Sequence, residues 1–213
     1  MHSRSFHDHD RFHLPPPPVS LGVAVSQRVQ ALDILQCHHA VTVRQFDRLY
    51  GIPARVLSGL PRRTITVAPV HMRRSLMVDA TFVALDADLL NQGHGELCHL
   101  VGTAALQVLL GIPLDHWRAL PSWYAGTNRP DAEYDHPNGQ GLVAVEYDSG
   151  TYKQSLVAQK LEAYRSQGYL HTVWGLASAR RRAHLEELLE NLPGDLAPNI
   201  VLSSWWEFER RNG

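Results

Sequence analysis

Three carboxylates and one lysine stand out by type and spacing. Asp131 follows Pro130 at the opening of a short predicted strand. Glu146 and Asp148 close the run Leu-Val-Ala-Val-Glu-Tyr-Asp at 142–148, which reads as a buried strand up to Tyr147. Residues two apart on a strand face the same side, so Glu146 and Asp148 share a face. Between the two strands lies Pro-Asn-Gly-Gln-Gly at 137–141, a hairpin-type connection of residues that tolerate positive φ. Neighbouring strands can therefore bring one acid against two, and converging carboxylates are how proteins hold Mg²⁺ or Mn²⁺. Glu146 carries most weight, because a carboxylate ending a buried strand needs a partner. Lys153 and Lys160 are the only lysines in the chain, and the other eighteen basic residues are arginine. On the helix predicted over 152–167 these lysines are seven apart and share a face, which Tyr164 continues.

Pro130-Asp131, then Glu146, then a lysine resembles the PD-(D/E)XK nuclease pattern. In that superfamily the lysine normally stands two residues after the second acid, where this chain has Asp148. Lys160-Leu-Glu-Ala-Tyr164 is similar to the Gln-x-x-x-Tyr helix signature of the RecB-like branch, with lysine in place of glutamine. Preceded by a winged-helix-like half, the combination most resembles the replication-relaxation family of plasmid proteins, over roughly residues 28–180. The resemblance implies metal-dependent hydrolysis of DNA phosphodiesters. Asp131 and Glu146 would hold Mg²⁺ or Mn²⁺ with Asp148 assisting, and Lys160 would stabilise developing charge. The displaced lysine equally supports a nuclease fold kept without catalysis, as an accessory factor in plasmid replication or mobilisation. A third reading is a winged-helix transcriptional regulator.

The elements that must position these groups follow in order. Residues 1–20 hold four histidines and a run of four prolines, and read as a disordered tail. Residues 23–38 read as a helix with Val25, Val29, Leu32 and Leu35 as its packed stripe. Thr42 with Gln45 has capping-box spacing, Phe46 and Leu49 give the second helix its apolar side, and Gly51 ends it. A short third helix is possible at 53–60, but residues 69–78 are the preferred recognition helix, with Pro69 at its first position. Residues 64–67 then form a short strand or linker. Residues 81–85 and 97–101 read as the two strands of a wing around a turn at 91–95, and 102–110 as a fourth helix. Residues 111–127 read as the junction, with Trp117, Trp123 and Tyr124 packing it. Beyond the two acid strands come a helix, a strand at 171–176, a helix at 179–191 and a strand at 199–203. The expected fold is thus α+β: a winged helix-turn-helix at 21–112, then a small α/β PD-(D/E)XK-like domain at 113–213.

The net charge of −1 announces no nucleic acid, but its distribution does. Residues 28–78 contain eight arginines against two aspartates, whereas 121–213 carry nine basic and twelve acidic residues. A basic first half suits double-stranded DNA, with Arg73 and Arg74 on the recognition element and Arg44, Arg62 and Arg63 reaching phosphates. Arg180, Arg181 and Arg182 open a helix at its positive dipole end, which is awkward unless a phosphate docks there. No Cys-x-x-Cys pair accompanies Cys37 and Cys98, so these read as buried hydrophobes rather than zinc ligands. No apolar run approaches the ~20 residues that span a bilayer. With no signal-peptide pattern, the expectation is a cytoplasmic protein without a membrane partner, and a homodimer is left open.

Overall fold

The computed structural model describes residues 21–70, 76–121, 128–150, 152–190 and 196–210. The tail, Arg73, Arg74, Trp123 and Tyr124 lie outside them. The chain is mixed α+β, with five helices and two sheets among the described residues.

Helix α1 spans Leu21–His38 and ends where His39 takes a left-handed φ of 66°. Its buried positions are Ala31, Ile34, Leu35 and His38. The expected stripe of Val25, Val29 and Leu32 is exposed instead, and only its last member, Leu35, is packed. Strand β1, Ala40–Thr42, leads directly into α2, Val43–Tyr50. The capping box forms as its spacing predicts: Thr42 Oγ1 accepts from the Gln45 N–H, and Gln45 Oε1 accepts from the Thr42 N–H. Gly51 closes α2 at φ 65°, a conformation that suits glycine. The third helix is only a 3-10 turn, Ala54–Leu57.

Strands β2, Arg62–Val67, and β3, Val78–Ala84, form an antiparallel hairpin, and β1 pairs on the other side of β3. The pairing ends at Val67 opposite Val78. The expected recognition helix at 69–78 therefore does not hold at its described ends. Pro69 and Val70 form a bend, and Val78 already belongs to a strand. The second wing strand is also corrected, because residues 97–101 lie within α3, His94–Leu109. The short window looked strand-like because it is almost wholly apolar. A helix can be apolar all round when it is covered on several sides. Here α3 packs on β1, β4, β6 and β7, and every residue from Leu100 to Gln107 is buried.

The second sheet runs β4 Trp117–Ala119, β5 Ala132–Asp135, β6 Leu142–Asp148, β7 His171–Leu176, β8 Asn199–Leu202, neighbour to neighbour in that order. The first two pairings are antiparallel to give β4-β5-β6, and β6-β7-β8 are parallel. Alternation along β6 sends Val143, Val145 and Tyr147 into the core shared with α3. The other face carries Glu146 and Asp148 toward α4, Gln154–Ser166, and α5, Ala179–Leu189. Val157 and Leu161 of α4 and Leu185 and Leu188 of α5 cluster there around Trp174. On the α3 side, Gly102 lies against the Tyr147 ring and Gly175 against Leu106, closely enough that any Cβ would overlap them. One core runs from Ala40 to Trp206 across both sheets. The terminal 3-10 turn, Trp205–Glu209, returns to β3 and α2, where Glu209 accepts from Thr42 Oγ1 at 2.5 Å.

Candidate functional site

The site is built where β5 begins and β6 ends. Glu146 is 0% exposed and its two oxygens take three donors. Lys160 Nζ lies 2.6 Å from Oε1, the Tyr152 hydroxyl donates to Oε1 at 2.6 Å, and the Tyr164 hydroxyl donates to Oε2 at 2.5 Å. Lys160 also donates to the Tyr164 oxygen at 3.2 Å. The Lys-x-x-x-Tyr spacing of α4 thus delivers both groups to one carboxylate, since residues four apart share a helix face.

Asp131 sits in the bend just before β5. Its Oδ2 accepts from the Tyr147 N–H at 2.8 Å and lies 3.5 Å from His99 Nδ1. Both side chains of this pair are 22% exposed, so this edge of the site meets solvent. Asp148 departs from the expected cluster. It shares the face of Glu146, but Arg181 claims it, with Nε and Nη2 both 2.8 Å from Oδ2. The Gly150 N–H donates to Oδ1 at 2.6 Å, and Arg181 also donates to the Tyr152 carbonyl. Each acid therefore has one cation: Asp131 with His99, Glu146 with Lys160, Asp148 with Arg181.

These pairings set the proton affinities. Burial pushes the Glu146 carboxyl up to about 7, Asp131 adds to the rise, and Lys160 and Tyr152 oppose it. Burial disfavours the His99 cation, yet Asp131 and then Glu146 raise it to about 9. Burial would raise Asp131 too, but His99, Lys160 and the Tyr147 N–H hold it below the ordinary carboxylate value. Tyr152 and Tyr164 are held firmly protonated by burial and by the nearby carboxylates, so they act as donors.

Asp131, Glu146 and Lys160 thus come together as the spacing predicts, and Asp148 stands apart. His99 and Tyr152 were not anticipated. With 97–101 read as a strand, nothing pointed His99 at Asp131. Read as a buried helix, the same run shows one histidine among apolar residues, which is the signal. Asp131 and Glu146 are suitable donors for Mg²⁺ or Mn²⁺. An ion at Glu146 would compete with Lys160, Tyr152 and Tyr164 for the two carboxylate oxygens. Among the described residues, no three His, Cys, Asp or Glu side chains are grouped to hold one.

The arginines divide by environment. Arg62 and Arg63 are exposed at the base of the β2–β3 hairpin, with Arg63 donating to the Leu90 carbonyl. Arg44 is tied to the chain's end, donating to the Phe208 and Arg210 carbonyls and lying 3.8 Å from Glu209. At the start of α5, Arg181 belongs to Asp148, Arg182 lies 2.7 Å from Glu186, and Arg180 is exposed. Burial raises the Cys37 and Cys98 thiols to about 11 and about 12, as in packed, unreactive cysteines. Trp117 is buried and stacks on Tyr134. Comparison with family models, with curated proteins and with solved structures finds no match.

Proposed function

We propose that the protein binds double-stranded DNA as an accessory factor of the replication-relaxation kind, built on a nuclease-like α/β core that is held in a charge-paired, non-catalytic state. The β1-β3-β2 sheet, with α1 and α2 beside it, suits a winged helix whose recognition helix is cut to the turn Ala54–Leu57. Arg62 and Arg63 stand at the hairpin base, and Arg73 and Arg74 fall in the sequence joining its strands. Arginines at such a hairpin suit phosphate contacts. The order helix, three strands, helix, strand, helix, strand from α3 to β8 suits the PD-(D/E)XK core. The observation that carries the non-catalytic form is the one-to-one pairing of Asp131, Glu146 and Asp148 with His99, Lys160 and Arg181. Three acids already neutralised exert little pull on a divalent ion.

A second reading, a metal-dependent endonuclease, is favoured by the partial exposure of Asp131 and His99. In that reading Asp131 and Glu146 would hold Mg²⁺ or Mn²⁺, which would supply Lewis acidity at a phosphodiester. Lys160 would stabilise the charge developing there. The test is nicking of supercoiled plasmid with either ion, beside binding of the same DNA. The proposal expects binding, with nicking no faster for wild type than for Lys160→Ala. Metal-dependent nicking that Lys160→Ala abolishes while it still binds the same DNA would establish the enzyme instead.

A further inference from the structure

Along α1, Gly22, Val25, Val29, Leu32 and Gln36 recur at spacings of three and four, and all five are exposed. Val25 is 56% exposed, Val29 53% and Leu32 36%. No residue from 22 to 30 is buried. That half of the helix is tied to the body by polar links: Gln27 to the Gly51 carbonyl, and Arg28 to the carbonyls of Val56 and Ser58. It contains a glycine and three β-branched valines, and its first turn carries no acid. Such residues are weak helix formers, and a short helix of them needs tertiary packing to persist.

We propose that α1 pairs with α1 of a second copy of this chain, parallel and in register, about a two-fold axis along the exposed seam. A three-four repeat along one helix face is the spacing of a two-helix coiled-coil seam. Within it Val29 takes the a position and Leu32 the d position, the β-branched and leucine choice that favours two parallel strands. Gln36 takes the next a position, where a polar residue fixes register. The flanking charges select the direction. Arg28, whose Nη1 is held by the Val56 and Ser58 carbonyls, precedes Val29 at g, Asp33 follows Leu32 at e, and a parallel pair sets g against the e five residues on in the partner. An antiparallel pair sets g against g and forgoes that pairing. Beside the seam, a groove of about 510 Å³ between α1 and the turn Ala54–Leu57 is lined by Ala24, Val25, Val29 and Val56 together with Arg28 and Arg55. The paired molecule would present two β2–β3 hairpins related by a two-fold axis, the symmetry with which dimers meet two DNA half-sites. The inference is independent of the acid–lysine site.

Sedimentation equilibrium on the full chain tests it. The wild type is expected at twice the chain mass. Val29→Glu sets two carboxylates on the axis and is expected to halve that mass. The fold of each copy should survive, because Val29 is half exposed. Val29→Cys is expected to give a disulfide-linked dimer under mild oxidation, since residue 29 meets itself across a parallel in-register axis. Wild type at single-chain mass at every loading concentration would overturn the proposal. So would a Val29→Glu dimer, or a wild-type dimer whose Val29→Cys variant does not cross-link. A monomeric full chain that dimerises once residues 1–20 are removed would assign the seam to that segment, and would also overturn it.

Discussion

Replacing Lys160 by Met should destabilise the protein by an amount that depends strongly on pH. Lys160 is 7% exposed and its ammonium lies 2.6 Å from a carboxylate that is 0% exposed. Removing the cation leaves an ionised Glu146 buried without its charge partner, which costs about 3–5 kcal/mol. The cost depends on Glu146 being ionised. Its carboxyl already sits near 7 in the fold, against 4.5 ordinarily, through burial and Asp131. An acid with a raised folded value binds more protons folded than unfolded, so its contribution to stability falls as pH rises from 4.5 through 7. For Glu146 that fall is about 3 kcal/mol in the wild type. Without Lys160 the carboxyl rises further, so the fall in the variant is larger and extends to higher pH. At acid pH, Glu146 is protonated in both proteins, and the substitution should cost only about 1 kcal/mol for a lost hydrogen bond. Urea unfolding at about pH 5.5 and about pH 8.5 measures the difference. Equal costs at the two pH values would refute the reasoning, because they would mean that no buried charge is being stranded. The double variant with Glu146→Gln should recover much of the alkaline loss.

Two further perturbations probe the same framework. His99 has a folded value near 9 against an ordinary 6.5, so its contribution is complete below 6.5 and is lost as pH rises through 9. His99→Gln should flatten that decline by about 3 kcal/mol, and a pH profile unchanged from wild type would separate His99 from Asp131. Gly102→Ala should cost about 1–3 kcal/mol by driving a methyl into the Tyr147 ring, measured as a lowered urea midpoint with unchanged slope, whereas an unchanged midpoint would deny the close α3–β6 contact.

Much of the second half was legible because its signals are local. The apolar runs at β6 and β7 are bounded by turns, and the Lys160–Tyr164 spacing sets both groups on one helix face. Thr42 and Gln45 announced their capping box for the same reason, since both partners lie within one turn. What failed depended on distant surroundings. The valines of α1 have the spacing of a packed stripe, but periodicity does not say which side the body takes, and the body takes Ala31, Ile34 and Leu35. Residues 97–101 read as a strand because apolar runs look alike in strands and all-round buried helices. On a strand, His99 has no reason to face Asp131. Asp148 was placed on the correct face, but which cation it meets depends on where α5 returns, and no spacing within β6 reveals Arg181.

The affinity of the full chain for duplex DNA as a function of salt tests the central claim most directly. Arginines that meet phosphates release counterions, so affinity should fall steeply and linearly on logarithmic axes, and more shallowly once Arg73 and Arg74 are replaced together by Ala. Absence of binding at low salt, or a slope that the double replacement leaves unchanged, would contradict the DNA-binding account.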